Sequence, residues 1–277
     1  MSLPTPTSSL LEVGSLTIHY YALCILLGIS VAILISRTRY QRAGGNPDEI
    51  NELAAYAIPA GIIGGRAYHV ATSPDAYFGA GGRPLDALKI WEGGMGIWGA
   101  IALGALVLFL ILRSGKYSLS FLAVADVLAP GLLIAQAIGR FGNWFNAELF
   151  GSPTSLPWGL KIPYGSRPEG FQDFLTFHPT FLYESIWCCA AAILLLKSER
   201  VARWITPVPG QSFLAYISMY TLGRLWIESL RIDPAHHIFG VRINILVALV
   251  IFATSTTALI RRRRNFAPLN PASVQEE

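Results

Sequence analysis

The sequence predicts an all-α integral membrane protein, a bundle of seven transmembrane helices with a small extracytoplasmic subdomain between the fourth and fifth helices. Its 277 residues are 53% hydrophobic and only 14% charged, with a mean hydropathy of +0.47. A soluble domain carries about 25% charged residues. The apolar residues also fall into runs of about 20, the length that crosses the hydrocarbon core of a bilayer as a helix.

Seven apolar runs define the predicted helices. The first and third contain no Asp, Glu, Lys or Arg. Small residues in the second, among them Gly61, Gly64 and Gly65, suit close contact between helices in lipid. The sequence has no internal repeat, so the chain, 1–277, is predicted to be a single membrane domain. The helices are predicted at 17–36, 53–72, 93–112, 118–140, 179–196, 211–230 and 243–260.

Basic residues between the runs predict the orientation of the chain. No Lys or Arg precedes the first run, which is too long for the apolar part of a cleavable signal peptide, and Arg37, Arg39 and Arg42 follow it. The positive-inside rule therefore places the N-terminus outside and the tail, 261–277, in the cytoplasm. With alternating crossings, 12 of the 21 Lys and Arg residues lie on the cytoplasmic side and six in or beside the outer loops.

Several classes of site and partner are disfavoured. Cys24, Cys188 and Cys189 all lie in apolar runs, so they form neither a disulfide framework nor a metal-binding spacing. The adjacent His236 and His237 have no third ligand at helical spacing, so no metal site is expected. The net charge of +4 reflects membrane topology, and no nucleic-acid partner is expected. No P-loop or G-x-S-x-G motif is present.

Polar residues of the predicted helices converge on one depth. With the N-terminus outside, Arg66, Arg140 and Arg224 lie in the outer half of the membrane, together with Tyr21 and the segment "HPTFLYE" at 178–184. Ionisable groups are costly in lipid, so this convergence indicates a functional site. The alternative is that each arginine only reaches out to the headgroups.

The sixth predicted helix carries a polar stripe. Tyr220, Arg224, Glu228 and Arg231 are separated by four, four and three residues, which places them on one helical face. Such a face must line the bundle interior or a water-filled cavity. Charge pairing that only joins helices is the alternative interpretation. Asp126, in the fourth helix, has two similar interpretations, a proton path or a pairing across helices.

The segment "GRFGNWFNAELFG" at 139–151 differs from an ordinary helix end. Its glycines permit close backbone approach, and Asn143 and Asn146 supply hydrogen-bond donors and acceptors. Glu148 is expected to hold an arginine. The residues that follow are too apolar for a flexible linker, so 141–178 is predicted to form the outer subdomain that covers the site.

These segments together resemble the prolipoprotein diacylglyceryl transferase family. The segment "GRFGNWFNAELFG" resembles the family signature G-R-x-G-N-F-x-N-x-E-x-x-G, with Trp144 where Phe is usual. "HPTFLYE" resembles H-P-T-Q-L-Y-E, and "GRLWIESLRID" resembles the arginine–glutamate motif of the sixth helix. The likeness covers about residues 10–260. One departure is "GGMGIWGA", in which Trp98 stands where the family often has a histidine.

The resemblance implies transfer of the sn-1,2-diacylglyceryl group from phosphatidylglycerol to the lipobox cysteine of a prolipoprotein in the bacterial cell membrane. Glycerol-1-phosphate leaves, and no cofactor is implied. Such a reaction needs fixed cations facing the phosphate, and the planar fork of arginine suits that role. The alternative is a multi-pass lipid or small-solute transporter using the same polar cavity. A transporter is expected to have inverted repeats or paired broken helices, and the sequence has neither.

The resemblance and this chemistry together assign the site residues. Arg140 and Arg224 are predicted to clamp the phosphate. Tyr21 and Gly151 are included by motif position alone, with no role derived from the residues. The catalytic set is Arg140, Arg224, Tyr21, Asn143, Glu148 and Glu228, in which the two glutamates hold the arginines. The set that binds phosphatidylglycerol is Arg140, Arg224, Asn143, Tyr220, Arg66 and Gly151.

Activation of the acceptor thiol needs an explanation because position 98 is not histidine. Nearby arginines and a helix N-terminus can lower the pKa of a thiol without a base. We therefore expect that none of His19, His69 and His178 is indispensable.

Overall fold

Most of the chain is helical. The computed structural model describes residues 2–14, 16–197 and 208–265, and these contain eight α-helices. They are α1 (Tyr20–Arg42), α2 (Asp48–Thr72), α3 (Asp75–Phe78), α4 (Ile97–Leu112), α5 (Phe121–Phe145), α6 (Thr180–Lys197), α7 (Gln211–Leu230) and α8 (Ile243–Asn265).

Four of the helices in the described ranges are long and apolar enough to cross a membrane, namely α1, α5, α6 and α8. Helix α4 is also apolar but has only 16 residues. Helices α2 and α7, which carry Arg66 and Arg224, are not among the four. The four long apolar helices identify a helical membrane protein, as the composition predicts.

Short strands join the helices at three places. Strands β1 (Leu3–Pro4), β4 (Leu160–Lys161) and β5 (Thr176–Phe177) form one sheet, with β1 parallel and β5 antiparallel to the central β4. Strands β2 (Leu10–Val13) and β3 (Leu16–His19) form a hairpin, as do β6 (His237–Ile238) and β7 (Val241–Arg242). The first sheet ties the N-terminal segment to the region between α5 and α6.

Three predicted helices begin three or four residues later in the structure, at Tyr20, Ile97 and Phe121. The run at 17–36 starts as strand β3, and α1 begins only at Tyr20. An apolar run does not by itself distinguish a strand from a helix, and the pairing of Leu10 with His19 decides for a strand. The run at 93–112 becomes helical only at Ile97, because Gly93 and Gly94 have positive φ angles.

Helix α5 continues beyond the predicted end at residue 140. It reaches Phe145, so Arg140 and Asn143 lie on consecutive turns of one helix. The chain then turns through Ala147 and Leu149, both with positive φ. The region from 141 therefore begins as helix and only afterwards becomes irregular, and the bounds predicted for the subdomain do not coincide with these elements.

The chain divides into two compact units, one comprising 1–35 and 125–277 and the other 36–124. In the first unit, α5 packs against α6 through Leu133, Ala137 and Cys188, all buried. A separate buried cluster lies under the sheet between α5 and α6; it contains Phe150, Leu160, Ile162, Phe177 and Phe181. The region between α5 and α6 thus has a core of its own.

Asp126 joins two helices of the first unit. Its carboxylate accepts hydrogen bonds from the backbone N–H of Gly210 (2.6 Å) and of Phe213 (2.8 Å), at the start of α7. Free N–H groups at a helix N-terminus favour a carboxylate partner. Of the two interpretations of Asp126, the structure supports pairing across helices.

The second unit is built on close packing of α2 against α4. A Cβ atom at Gly64 would collide with the backbone of Gly99, and one at Gly96 would collide with the Tyr68 ring. Small residues let the two helix backbones approach each other, as expected between helices in lipid. The loop that joins the two helices folds around Arg66.

Candidate functional site

A buried carboxylate lies at the centre of the polar cluster of the first unit. Glu184, on α6, is only 3% exposed. Its Oε1 is 2.8 Å from Nη2 of Arg140 on α5, and its Oε2 is 3.0 Å from Nη1 of Arg224 on α7. One carboxylate therefore holds both arginines predicted to bind phosphate, and it joins three helices.

Tyr220 completes this bridge. Its hydroxyl donates to Oε1 of Glu184 (3.2 Å) and accepts from Nη2 of Arg140 (3.5 Å). It lies one helical turn before Arg224 on α7, so the same helical face supplies both groups. Arg140, Tyr220 and Arg224 thus surround a single carboxylate.

Glu228 forms a second centre one turn further along α7. It is fully buried (0% exposed) and pairs with Arg224, the contact expected from the sequence. It also lies 3.0 Å from Arg242 and 3.5 Å from Arg231, and accepts from Nδ2 of Asn244 at 2.9 Å. Three arginines share this carboxylate, which is too many for a residue that only positions Arg224.

Asp233 balances the arginines at the end of α7. Its carboxylate is 2.6 Å from Nε of Arg231 and 3.1 Å from Nη2 of Arg242. Burial alone would raise the pKa of Asp233, but hydrogen bonds and charge from the two arginines outweigh it, so the pKa lies below its ordinary value. Asp233 is therefore ionised at neutral pH and holds the β6–β7 hairpin onto α7.

Asn143 is oriented from two sides. Nη1 of Arg140 donates to its Oδ1 at 3.2 Å, and its Nδ2 donates to Oε1 of Glu148 at 2.8 Å. Asn146 donates to the same glutamate oxygen at 3.2 Å. The sequence predicted that Glu148 holds an arginine. In the structure Glu148 instead accepts hydrogen bonds from these two amides, and Glu184 holds Arg140.

Tyr21 lies against the signature helix. Its ring occupies the space in which a Cβ atom of Gly142 would stand, so only glycine allows this approach. The neighbouring Tyr20 stacks on Phe145 at a centroid distance of 4.6 Å. These contacts place the first turn of α1 beside the turn of α5 that carries Asn143.

Gly151 allows the backbone to dock on the end of α7. A Cβ atom there would lie 2.8 Å from Cβ of His178 and 3.0 Å from the carbonyl oxygen of Leu230. Its N–H donates to the carbonyl of His178 at 2.9 Å, and it pairs with Arg231. The structure thus supplies a role that the sequence left open: Gly151 joins the region between α5 and α6 to the polar cluster.

Replacing Gly151 by alanine is expected to lower activity by about tenfold or more, because the new methyl group meets Cβ of His178 and the carbonyl oxygen of Leu230, which cannot rotate away. Gly165→Ala is the matched control, since a Cβ atom at Gly165 meets nothing within 4 Å. The effect is measured in detergent as the initial rate of the diacylglyceryl transfer that the resemblance implies, and as the melting temperature of both variants. Equal rates for Gly151→Ala and Gly165→Ala would show that close approach at Gly151 is not needed.

A small cavity opens beside the Glu184 bridge. Its volume is about 10 Å³, space for about one water molecule. It is lined by Arg140, Asn143, Leu149, Thr180, Phe181, Glu184 and Arg231. A phosphate group does not fit there unless side chains move, and the Glu184 carboxylate already occupies both arginines.

Arg66 belongs to the other unit and has different partners. Its Nε donates to the carbonyl of Ala87 at 2.8 Å, and Nη1 donates to Gly93 (2.6 Å) and Gly94 (3.1 Å). Nη2 donates to the carbonyl of Asp86. Four of the five guanidinium N–H groups are thereby used in folding the α2–α4 loop. This geometry does not favour the predicted role of Arg66 in binding phosphate.

Sequence reasoning missed the bridging carboxylate. Glu184 closes the segment "HPTFLYE", which indicated a site without assigning this residue a role. Arg242 was counted only as a basic residue beside an outer loop, and Asn244 carried no signal at all. Each lies on a different element from its partner, so no spacing along one helix reveals the contact.

The cluster has the charges to hold an anionic group with more than one oxygen once the contacts of Glu184 open. Four arginines, Arg140, Arg224, Arg231 and Arg242, face three paired carboxylates, Glu184, Glu228 and Asp233. Guanidinium groups bind carboxylate and phosphate oxygens two at a time. The excess of one positive charge suits a singly charged phosphodiester.

Comparison with known proteins agrees with this chemistry. Residues 8–261 match the family described as prolipoprotein diacylglyceryl transferase. The chain is 51% identical to a phosphatidylglycerol–prolipoprotein diacylglyceryl transferase of Cutibacterium acnes, over 96% of this chain and 88% of the relative. It is 46% identical to a second such protein of Streptomyces coelicolor (93% and 80%) and 44% identical to one of Bifidobacterium adolescentis (93% and 79%). The chain therefore belongs to the prolipoprotein diacylglyceryl transferase family.

Proposed function

We propose that this protein transfers the sn-1,2-diacylglyceryl group of phosphatidylglycerol to the lipobox cysteine of prolipoproteins and releases glycerol-1-phosphate. The observation that carries the proposal is the Glu184 bridge, which gathers Arg140 and Arg224 from two helices in a buried site. The names of relatives that align with nearly the whole chain support the same activity.

The reaction moves negative charge onto the phosphate. The acceptor sulfur forms a bond to C3 of the diacylglyceryl unit. The bond from that carbon to the phosphate oxygen breaks. The bonding electrons stay with the phosphate, and the thiol proton passes to solvent. Preorganised cations facing the leaving phosphate stabilise this transition state, and the step calls for no metal or covalent enzyme intermediate.

Arg140 and Arg224 clamp the phosphate in this proposal. The cavity is too small for a headgroup while Glu184 occupies both guanidinium groups, so the phosphate replaces part of the Glu184 contacts on binding. Asn143 and Tyr220 then orient the headgroup. Glu228, shared with Arg231 and Arg242, keeps Arg224 in place during the exchange.

The acceptor thiol is activated by the electrostatic field of the cluster. Nδ1 of His178 is hydrogen-bonded to the Tyr183 hydroxyl at 3.1 Å, and burial lowers the pKa of this imidazole. Trp158 donates to the same hydroxyl at 3.0 Å. His178 thus has a structural partner, which supports the expectation that it is not an indispensable base. Nearby arginines favour the thiolate form of an incoming cysteine.

The proposal includes the full topology, with seven crossings of the bacterial cell membrane, the N-terminus outside and the C-terminus in the cytoplasm. The four apolar helices and the distribution of basic residues support it. Rings that suit the membrane interface also lie next to the arginine cluster: Trp226 is two residues from Arg224 and packs on Tyr183 at 6.0 Å. In this arrangement Arg224 lies at the outer headgroup level. Residues 198–207 and 266–277 lie outside the described residues.

The function is tested with purified protein, vesicles containing phosphatidylglycerol, and a synthetic lipobox peptide. Mass spectrometry is expected to detect a peptide that has gained one diacylglyceryl group through a thioether. The control peptide has serine in place of the cysteine, and the control vesicles contain phosphatidylcholine alone. Movement of lipid between leaflets without a modified peptide would instead indicate a transporter and contradict the proposal.

A further inference from the structure

The tip of the β6–β7 hairpin carries a phenylalanine in an unusual setting. Phe239 and Gly240 form the turn between the strands, with φ angles of +51° and +75°. Turns of this kind usually contain Asn, Asp or Gly, because positive φ is disfavoured for bulky side chains. The Phe239 side chain is also 100% exposed.

Folding does not explain this residue. The left-handed backbone conformation costs energy, and the ring gains nothing from burial within its own chain. Its neighbours Ile238 and Val241 are exposed hydrophobic residues as well. The tip therefore exposes three apolar side chains, those of Ile238, Phe239 and Val241. An exposed apolar surface of this kind indicates a contact with a partner outside the protein.

The base of the hairpin is held firmly. Arg242 pairs with Glu228 at 3.0 Å and with Asp233 at 3.1 Å, and the N–H of Ile243 donates to the carbonyl of His236 at 2.9 Å. The β6–β7 hairpin is thus fixed relative to the end of α7. One of the carboxylates at its base, Glu228, is also a partner of Arg224.

We propose that this tip inserts into the outer interface of the lipid bilayer. Strand β7 runs directly into α8, Ile243–Asn265, one of the four apolar helices. Phe239 is four residue steps of roughly 3.3 Å from Ile243, so the tip lies within about 13 Å of the start of that helix. The headgroup region on one side of a bilayer is about 5–8 Å thick and adjoins the end of a membrane-spanning helix, so the whole of it lies within the reach of the hairpin. Phe is among the side chains that bury at the boundary between headgroups and acyl chains.

The lipid contact also positions the arginine cluster. Because Glu228 is shared between Arg242 at the hairpin base and Arg224, the depth of the tip helps to set the depth of Arg224. The inference rests on α8 crossing the membrane, which is part of the proposed function.

Photo-crosslinking tests this contact directly. A benzophenone amino acid replaces Phe239 in the full chain, which is reconstituted in vesicles of phosphatidylcholine and phosphatidylglycerol, with lipobox peptide present. Val250, exposed on α8, is the positive control, and Tyr164, an exposed ring between α5 and α6, is the reference. Lipid adducts at 239 are expected to approach the yield at 250 and to exceed the yield at 164 severalfold.

The controls separate two kinds of failure. Lipid adducts at 250 combined with a yield at 239 no higher than at 164, or with adducts to the peptide alone at 239, would overturn the hairpin contact and leave the proposed topology intact. No lipid adducts at 250 would overturn the membrane crossing of α8, and the hairpin contact with it.

A substitution gives a second readout. Asn tolerates positive φ, so Phe239→Asn should fold at least as well as the parent chain. Its activity is expected to fall on the order of tenfold in vesicles and to stay unchanged in detergent, because only the bilayer contact is lost. An equal activity of the variant and the parent in vesicles, or an equal fall in both media, would contradict the inference.

Discussion

Replacing Arg140 or Arg224 by lysine is expected to lower the rate of diacylglyceryl transfer by about a hundredfold in each case. Lysine keeps the charge but loses the planar fork. Arg140 contacts Glu184, Tyr220 and Asn143 at once, and Arg224 joins Glu184 to Glu228. A single ammonium group cannot hold two phosphate oxygens and these neighbours together.

Initial rates of peptide modification at saturating phosphatidylglycerol measure the loss. Arg83→Lys is the matched control, because Arg83 is exposed and lies outside the cluster, and it is expected to keep the parent rate. Thermal melting in detergent separates lost chemistry from lost folding. Parent-like rates for both Arg140→Lys and Arg224→Lys would show that the arginines do not clamp the phosphate.

Removal of Glu184 should have the second large effect. In Glu184→Ala two buried guanidinium groups lose their shared partner, which is expected to lower the free energy of unfolding by about 3–5 kcal/mol. Activity should fall with it, because Arg140 and Arg224 are no longer held face to face. A lower melting temperature in detergent and a lower kcat together measure the effect.

Glu184→Gln distinguishes the charge of this residue from its shape. Glutamine can still accept the hydrogen bond from Tyr220 but no longer competes with phosphate for the arginines. We therefore expect a smaller loss of stability than in Glu184→Ala, a lower kcat, and a KM for phosphatidylglycerol that does not rise. Glu169→Ala, an exposed carboxylate outside the cluster, is the control. A raised KM with unchanged kcat would show that Glu184 is not a counter-ion exchanged for phosphate.

The sequence by itself determined the class of the protein and most of the residues that meet. Hydropathy locates helices because membrane burial is a property of a whole segment. Regular spacing placed Tyr220, Arg224 and Glu228 on one face of α7. The structure brings Arg140 of α5 to that face through Tyr220. These inferences succeed because each depends on one segment and its local period.

Only the tertiary structure decided which charges pair between different elements. Glu148 contacts amides, Glu184 takes both arginines, and Arg66 is used by the backbone of a loop. Gly151 likewise acquires its role only when α7 ends beside it. The physical reason is that a hydrogen bond extends about 3 Å, so its partner depends on the height and rotation of one helix against another. Spacing along a single segment carries no information about either quantity.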